Sequence, residues 1–184
     1  MAKQTVKNLV WIDLETTGLS TKKDKIIEIG ILVTDINLNI LDTQGYVGFV
    51  NITNEDISLM DDIVKDMHTK NGVIEKCLKS KKTLEEIDKA SVEYISKFVD
   101  RNEAPLCGTN IAFDRSFIEY SMPLLTNHLH YRNIDVTTIK QLSQIWKEDK
   151  YVGKESTHEA LDDIRESIEE LRYYKEKIFD SLPI

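Results

Sequence analysis

Two carboxylates follow an apolar run near the start of the chain. Residues 9–12 are apolar without alternation, which is typical of a central strand covered on both faces, and Asp13 and Glu15 come next. Side chains alternate along a strand, so Asp13 and Glu15 share one face. Two acids at the end of a buried strand are costly unless a cation neutralises them, which predicts a divalent-cation site. Taken alone, Asp13 fits equally well as an exposed strand-end residue before an ordinary turn.

Further acids recur at two later places in the chain. Asp114 falls in the first turn of a predicted helix, and Asp162 and Asp163 follow His158 at another helix start. Oxygen ligands in this number suit Mg²⁺ or Mn²⁺ better than zinc, which prefers nitrogen and sulfur. Two such ions about 3.5–4 Å apart can hold the attacking and leaving oxygens of a displacement at phosphorus.

The spacing after His158 leaves one assignment open. On a regular helix Asp162, four residues from His158, would face the histidine better than Asp163 does. Asp163 can share a site with His158 if the histidine lies on the loop before the helix or in its frayed first turn.

Five strands are predicted around these residues. The first contains Asp13, and the others cover residues 26–34, 40–50, 105–108 and 131–136. Short connections favour an antiparallel meander of the first three strands, whereas the later strands alternate with helices. This order predicts an α/β domain with a mixed sheet.

Capping signals and apolar spacing locate the helices. Residues 54–80 indicate short helices interrupted at Gly72, and a capping box at Thr83 begins a helix that we expect to end near Val99. Asn110 is the predicted N-cap of the helix that carries Asp114. Two more helices are expected, over residues 138–147 and from a capping box at 156–159 to about residue 179.

Composition limits the class of protein. The 184 residues are 41% hydrophobic and 30% charged, which indicates a single globular domain over residues 1–184. No apolar run could span a bilayer and no signal-peptide core begins the chain, so we expect a cytoplasmic protein without membrane contact. Cys77 and Cys107 form no metal or redox motif.

The net charge of -8 disfavours binding to long nucleic acid through a wide basic surface. A ligand with one or two phosphates needs only one or two cationic contacts plus metal. Base stacking, worth roughly 1–3 kcal/mol per base, can supply the remaining affinity. A very short nucleic acid is therefore compatible with this acidic chain.

The acids and the histidine together carry a family resemblance. The pattern Asp13-x-Glu15, Asp114 and His158-x-x-x-x-Asp163 resembles the DEDDh class of 3′→5′ exonucleases. Over nearly the whole chain the wider pattern resembles the oligoribonuclease family. The motifs that carry this likeness are WIDLETTGL at 11–19, IIEI at 26–29, MHT at 67–69, PLCG at 105–108, YRNIDV at 131–136 and HEALDDIRES at 158–167.

The resemblance implies a fold, a reaction and a catalytic set. The fold would be RNase H-like, with a five-stranded mixed sheet flanked by helices. The reaction would be hydrolysis of short single-stranded RNA, especially dinucleotides, to 5′-mononucleotides. Two divalent ions, Mg²⁺ or Mn²⁺, would be bound by Asp13, Glu15, Asp114 and Asp163, with His158 as general base. The family pattern thus selects Asp163 over Asp162.

The resemblance also implies contacts to the substrate. Leu19 would lie between two bases with His68 near them, and Arg132 and Thr137 would surround the 5′-phosphate. Tyr131 would reach the partner subunit's site, which implies a homodimer.

The chain departs from the family pattern at two positions. Asn110 stands where a serine commonly helps to hold the phosphate, and Ile63 stands where a tryptophan is usual. Asn110 can still donate a hydrogen bond, so we retain it among the substrate contacts.

Two other functions are compatible with parts of this pattern. A DNA-directed proofreading exonuclease would use the same metal chemistry on another strand, whereas a non-catalytic nucleotide-binding module would retain the fold alone. The complete acid set and His158 favour catalysis. The sequence pI of about 5.1 and the likeness outside the catalytic acids favour short RNA.

Overall fold

A mixed five-stranded sheet forms the centre of the molecule. The structure, a computed structural model, describes residues 6–147, 151–153 and 159–179. Its strands are β1 Asn8–Thr16, β2 Ile26–Asp35, β3 Tyr46–Phe49, β4 Leu106–Gly108 and β5 Asn133–Asp135. The strand order is β3-β2-β1-β4-β5, antiparallel from β3 to β1 and parallel from β1 to β5. The predicted meander and the mixed sheet are confirmed.

The third strand is shorter than predicted. Strand β3 begins at Tyr46, and Ile40 makes only an isolated bridge to Thr34. Gly45 has a φ of 65°, and a Cβ there would lie 2.6 Å from a methyl group of Leu32. The chain therefore turns sharply before β3, and the first half of the predicted strand over residues 40–50 is wrong.

Helices flank the sheet on both faces. They are α1 Asn54–Leu59, α2 Asp62–Lys70, α3 Val73–Lys79, α4 Leu84–Ile95, α5 Ala112–Ser121, α6 Pro123–His128, α7 Val136–Lys147 and α8 Ala160–Tyr174, followed by a π-helical turn, Lys175–Phe179. The capping box at Thr83 is confirmed, although its helix ends at Ile95. Within the described ranges, no helix combines the length and apolar character needed to cross a membrane.

Two predicted helix starts differ from the structure. The N-cap of α5 is Ile111 and not Asn110, which lies in the left-handed region with a φ of 55°. The Asn110 N–H donates to the side chains of Asp135 and Thr137, near the end of β5. Asn110 therefore belongs to the turn before α5 and does not cap the helix. The capping box predicted at residues 156–159 lies mostly outside the described residues, and Glu159 is the N-cap of α8 without a side-chain cap bond.

Both faces of the central strand β1 are buried. Val10 and Ile12 pack with Ile87 of α4 and Phe117 of α5 on one face. On the other face Trp11 packs with Ile168 of α8. Asp13 and Glu15 share the Trp11 face, because side chains two residues apart lie on the same side of a strand. The two acids therefore face α8.

Candidate active site

Three of the predicted acids meet where β1 ends. One carboxylate oxygen each of Asp13, Glu15 and Asp163 lies within 4.8 Å of the others. Asp13 and Glu15 come from β1, and Asp163 comes from the first turn of α8. Residues more than 140 positions apart in the sequence thus form one oxygen-lined cluster.

Asp114 borders this cluster from the other side of β1. It lies in the first turn of α5, as predicted, and is buried. Strand β4 ends at Gly108, and Leu14 lies further along β1 than the residues that pair with β4. The backbone N–H of Leu14 donates instead to Oδ1 of Asp114 at 3.0 Å. This bond fixes Asp114 against the strand that carries Asp13 and Glu15. Burial, and then the charge of Asp114, raise the pKa of Asp13.

A glycine in β2 lets α8 approach the sheet. Gly30 pairs with Asp13 across the β1–β2 ladder. A Cβ at Gly30 would lie 2.8 Å from the Cβ of Ala160 and 3.2 Å from the Leu161 nitrogen, so only glycine fits beneath the first turn of α8. This close approach carries Asp163 to Asp13 and Glu15.

The carboxylates destabilise one another's charged forms. Burial, followed by the charges of Asp114 and Glu15, holds the pKa of Asp13 well above its ordinary value. Burial and then the Glu28 charge raise the pKa of Glu15 to about 8. Burial raises the pKa of Asp114 to about 7, although two backbone N–H donors oppose the shift. An oxygen-rich cluster with this excess of negative charge fits hard divalent cations.

Glu28 is a fifth acid beside the cluster, and it was not among the residues predicted for the site. It pairs with Glu15 across the ladder, is 3% exposed and has one oxygen, Oε2, without a hydrogen-bond partner. Burial raises its pKa to about 7, while the Lys76 charge opposes the shift. The signal was present, because Glu28 is the only charged residue in the apolar segment 26–34.

The structure places His68 behind Glu15. Its side chain is fully buried, and Nε2 lies 2.9 Å from the carbonyl oxygen of Thr16, to which it donates. Nδ1 lies 3.7 Å from Oε2 of Glu15. His68 therefore supports the end of β1, and its predicted position near the bases of a substrate stays a prediction.

Leu19 projects from a firmly bonded turn just after β1. Its side chain is 84% exposed. Oδ2 of Asp24 accepts a bond from the Ser20 N–H at 2.8 Å, and the Thr17 hydroxyl accepts one from the Lys25 N–H at 2.9 Å. The turn thus presents an apolar side chain to solvent a few residues from Glu15.

Asn110 and Thr137 lie together at the same end of the sheet as the acids. The Asn110 N–H donates to the Thr137 hydroxyl at 2.9 Å and to Oδ1 of Asp135 at 3.1 Å. They follow the C-terminal ends of β4 and β5, which run parallel to β1. The structure therefore brings these two predicted substrate residues together.

Tyr131 and Arg132 lie at the opposite end of β5. Both are exposed, and the Arg132 Nε donates to the Tyr131 hydroxyl at 3.1 Å. The Arg132 carbonyl accepts a bond from the N–H of Leu106, and Leu106 pairs with Val10 of β1. Val10 precedes Asp13 by about 10 Å along the strand, at a rise of about 3.3 Å per residue. Within one chain, Arg132 is therefore not brought together with Thr137.

The structure separates the two adjacent acids of α8. Oδ1 of Asp162 accepts a bond from Arg165 at 2.9 Å on a half-exposed surface, while Asp163 joins the acid cluster. His158 lies outside the described residues. Glu159, the next residue, directly precedes α8.

Comparisons with known proteins agree with this geometry. A family model described as "Exonuclease" matches residues 10–171. The chain is 46% identical over 171 residues to the oligoribonuclease of Photorhabdus laumondii and 44% identical over 171 residues to that of Escherichia coli K12. Each match covers 92% of this chain and 94% of the relative.

Solved exonuclease structures share the fold at low sequence identity. A thermophilic exonuclease I from Methylocaldum szegediense has a TM-score of 0.72 at 17% identity, covering 94% of this chain. The chain spans only 41% of that exonuclease. Cell-death related nuclease 4 has a TM-score of 0.67 at 12% identity, covering 94% of this chain and 64% of that nuclease. The RNase H-like fold predicted from the sequence is confirmed. By its sequence identity and its exonuclease domain, the chain belongs to the oligoribonuclease family of 3′→5′ exonucleases and is a nuclease hydrolase.

Proposed function

We propose that this enzyme hydrolyses short single-stranded oligoribonucleotides, especially dinucleotides, from the 3′ end and releases 5′-mononucleotides in the cytoplasm. The observation that carries the proposal is the meeting of Asp13, Glu15 and Asp163 in one cluster with Asp114 beside it. The substrate class rests on the oligoribonucleases that share 42–46% of their residues with this chain.

Two divalent ions, Mg²⁺ or Mn²⁺, would be held by these four acids. The donor set supports this assignment, since it offers only hard oxygen ligands, and burial and the neighbouring acids already raise the pKa of Asp13. Ions of this kind, when bound, offset phosphate charge and lower the pKa of a water nucleophile. The bond from the Leu14 N–H holds Asp114 in place, and the close packing of α8 on Gly30 holds Asp163 in place.

His158 is proposed as the general base that takes the proton of the attacking water. A neutral imidazole accepts a proton near pH 7, where phosphodiester hydrolysis otherwise lacks an adequate base. Support comes from its neighbour Glu159, which lies at the N-terminus of α8 close to Asp163. The position before the helix is the one that lets a histidine share a site with Asp163.

The remaining site residues would contact the two nucleotides. Leu19 would separate the two bases, and His68 would lie near them. Asn110 and Thr137 would bind the 5′-phosphate of the substrate. Both groups lie at the acid end of the sheet. These contacts would limit substrate length, because a longer strand has to pass the phosphate site.

Tyr131 and Arg132 would complete the site of a partner subunit in a homodimer. They are exposed, and they lie at the far end of β5 from the acids of their own chain. We therefore propose that the arginine that contacts a substrate phosphate near Thr137 comes from a second copy.

A cleavage assay tests the proposal. RNAs of two to seven nucleotides, labelled at the 5′ end, are incubated with Mg²⁺ or with EDTA, and a single-stranded DNA of twenty nucleotides serves as the comparison. We expect metal-dependent loss of 3′ nucleotides, with the diribonucleotide turned over fastest. Faster turnover of the DNA would indicate a DNA-directed exonuclease. Binding of the dinucleotide without cleavage, in Mg²⁺ and in a parallel reaction with Mn²⁺, would indicate a non-catalytic module.

A further inference from the structure

Arg115 is a buried cation, adjacent in the sequence to Asp114, that the proposed mechanism does not use. It follows Asp114 on α5, and its side chain is 9% exposed. Its guanidinium makes four hydrogen bonds, all to the segment 130–133. Nε and Nη2 donate to Oδ1 of Asn133 at 3.0 and 2.8 Å, and Nη2 also donates to the carbonyls of His130 at 2.8 Å and Arg132 at 3.4 Å.

The bonding pattern of Arg115 differs from that of a structural ion pair. All four bonds end on neutral oxygens, which are Oδ1 of Asn133 and the carbonyls of His130 and Arg132. The carboxylate with which Arg115 pairs, that of Glu119, lies 3.9 Å away on the surface. Arginine keeps its charge even when burial lowers its pKa, as it does here. The rigid fork of donors therefore fixes the position of the segment that it binds.

The segment 130–133 is held from the opposite side as well. The backbone N–H of His130 donates to Ala104 at 3.0 Å, and Leu106 donates to the Arg132 carbonyl at 3.2 Å. The segment thus lies between β4 and α5 with its backbone fixed. The side chains of Tyr131 and Arg132 remain exposed and contact each other.

We infer that Arg115 is a positioning residue that sets the place of Tyr131 and Arg132, and thereby the affinity for the 5′ nucleotide, without touching substrate. The inference rests on the proposed function, in which those two side chains contact substrate. A segment displaced by about 1 Å would weaken binding of the 5′ nucleotide and leave the acid cluster intact.

Two substrates separate positioning from a general structural role. One is a diribonucleotide with a 5′-phosphate. The other is the p-nitrophenyl ester of a nucleoside 5′-monophosphate, which has the same scissile phosphodiester but lacks the 5′ nucleotide. The variants are Arg115→Lys, which keeps the charge without the fork, and Asn133→Ala, which removes the acceptor of two bonds at an exposed residue. Arg101→Lys is the matched control, because Arg101 also donates Nε to a carbonyl but is exposed and bonds to Asn127 of α6, outside the segment 130–133.

Wild-type turnover of the diribonucleotide tests the proposed function before any variant is compared. For Arg115→Lys and Asn133→Ala we expect KM for the diribonucleotide to rise by roughly tenfold to a hundredfold. Turnover of the nitrophenyl ester should stay near wild type, and Arg101→Lys should leave both substrates unchanged. Arg132→Ala should raise KM similarly, and combining it with Asn133→Ala should add little more. Equal losses on both substrates, or no change on either, would overturn the inference; if Arg115→Lys unfolds, Asn133→Ala decides.

Discussion

Asp162 and Asp163 are adjacent in the sequence but differ in their surroundings. Asp163 belongs to the acid cluster, whereas Asp162 pairs with Arg165 at the surface. We expect Asp163→Ala to lower kcat on a diribonucleotide by a factor on the order of 10³ or more, as loss of a catalytic group does. Asp162→Ala, the matched control, removes only a surface pair and should change stability by about 0.5 kcal/mol or less. Comparable activity of the two variants in a Mg²⁺ assay would contradict the placement.

The raised pKa values predict how the stability of the metal-free protein depends on pH. Glu15 has a pKa of about 8, against an ordinary value of 4.5, so between these values the folded protein holds a proton that the unfolded chain has lost. Asp114 and Glu28, with pKa values of about 7, behave alike. Their stabilising contribution is complete at low pH and is lost as the pH rises through 7 to 8.

In EDTA we therefore expect Tm to fall between pH 5 and pH 8.5, and Mg²⁺ to raise Tm most at pH 8.5. Glu15→Gln controls for other titrating groups, because it should flatten the dependence. Thermal unfolding across this range checks both statements. Two results would contradict the raised pKa values: a Tm in EDTA that does not change with pH, or a dependence of Tm on pH that is the same in Glu15→Gln as in the wild type.

At the scale of elements, the site depends on how closely α8 lies on the sheet. Gly30→Ala places a Cβ 2.8 Å from that of Ala160 and should push the first turn of α8 outward, together with Asp163. We expect a loss of stability of about 1–3 kcal/mol and a larger loss of kcat. Ala160→Gly added to Gly30→Ala should restore part of both, measured by urea unfolding and turnover. Failure of this second change to restore any activity would mean that the contact does not position Asp163.

Much of this element arrangement could be predicted from the sequence. The apolar run before Asp13 and the capping box at Thr83 are local signals, and the structure confirms the strand and the helix start that they indicate. The close packing of α8 on Gly30 and the hydrogen bonds from Arg115 to the segment 130–133 could not be predicted, because both depend on contacts between distant segments. Glu28 was detectable as the lone acid in an apolar strand, but its proximity to Glu15 required the strand register.

At the scale of the whole molecule, the separation of Arg132 from Thr137 predicts a shared active site. In a mixture of Asp163→Ala and Tyr131→Ala chains, a mixed dimer would pair an intact acid cluster with an intact Tyr131 from its partner. We expect each variant to be weakly active alone. After random subunit exchange in an equal mixture, about half of the dimers are mixed and each has one intact site of two, so the mixture should recover about a quarter of the wild-type activity per site. Size-exclusion chromatography should show a dimer. A monomeric elution volume, or a mixture no more active than its parts, would refute the shared site.

The central claim is that four acids from three segments of the chain form one site for paired cations. A crystal soaked in Mn²⁺, measured at the manganese absorption edge, tests this most directly through anomalous scattering. We predict two peaks about 3.5–4 Å apart among Asp13, Glu15, Asp114 and Asp163, with carboxylate oxygens as ligands. Occupied manganese sites elsewhere with none among these side chains would contradict the account.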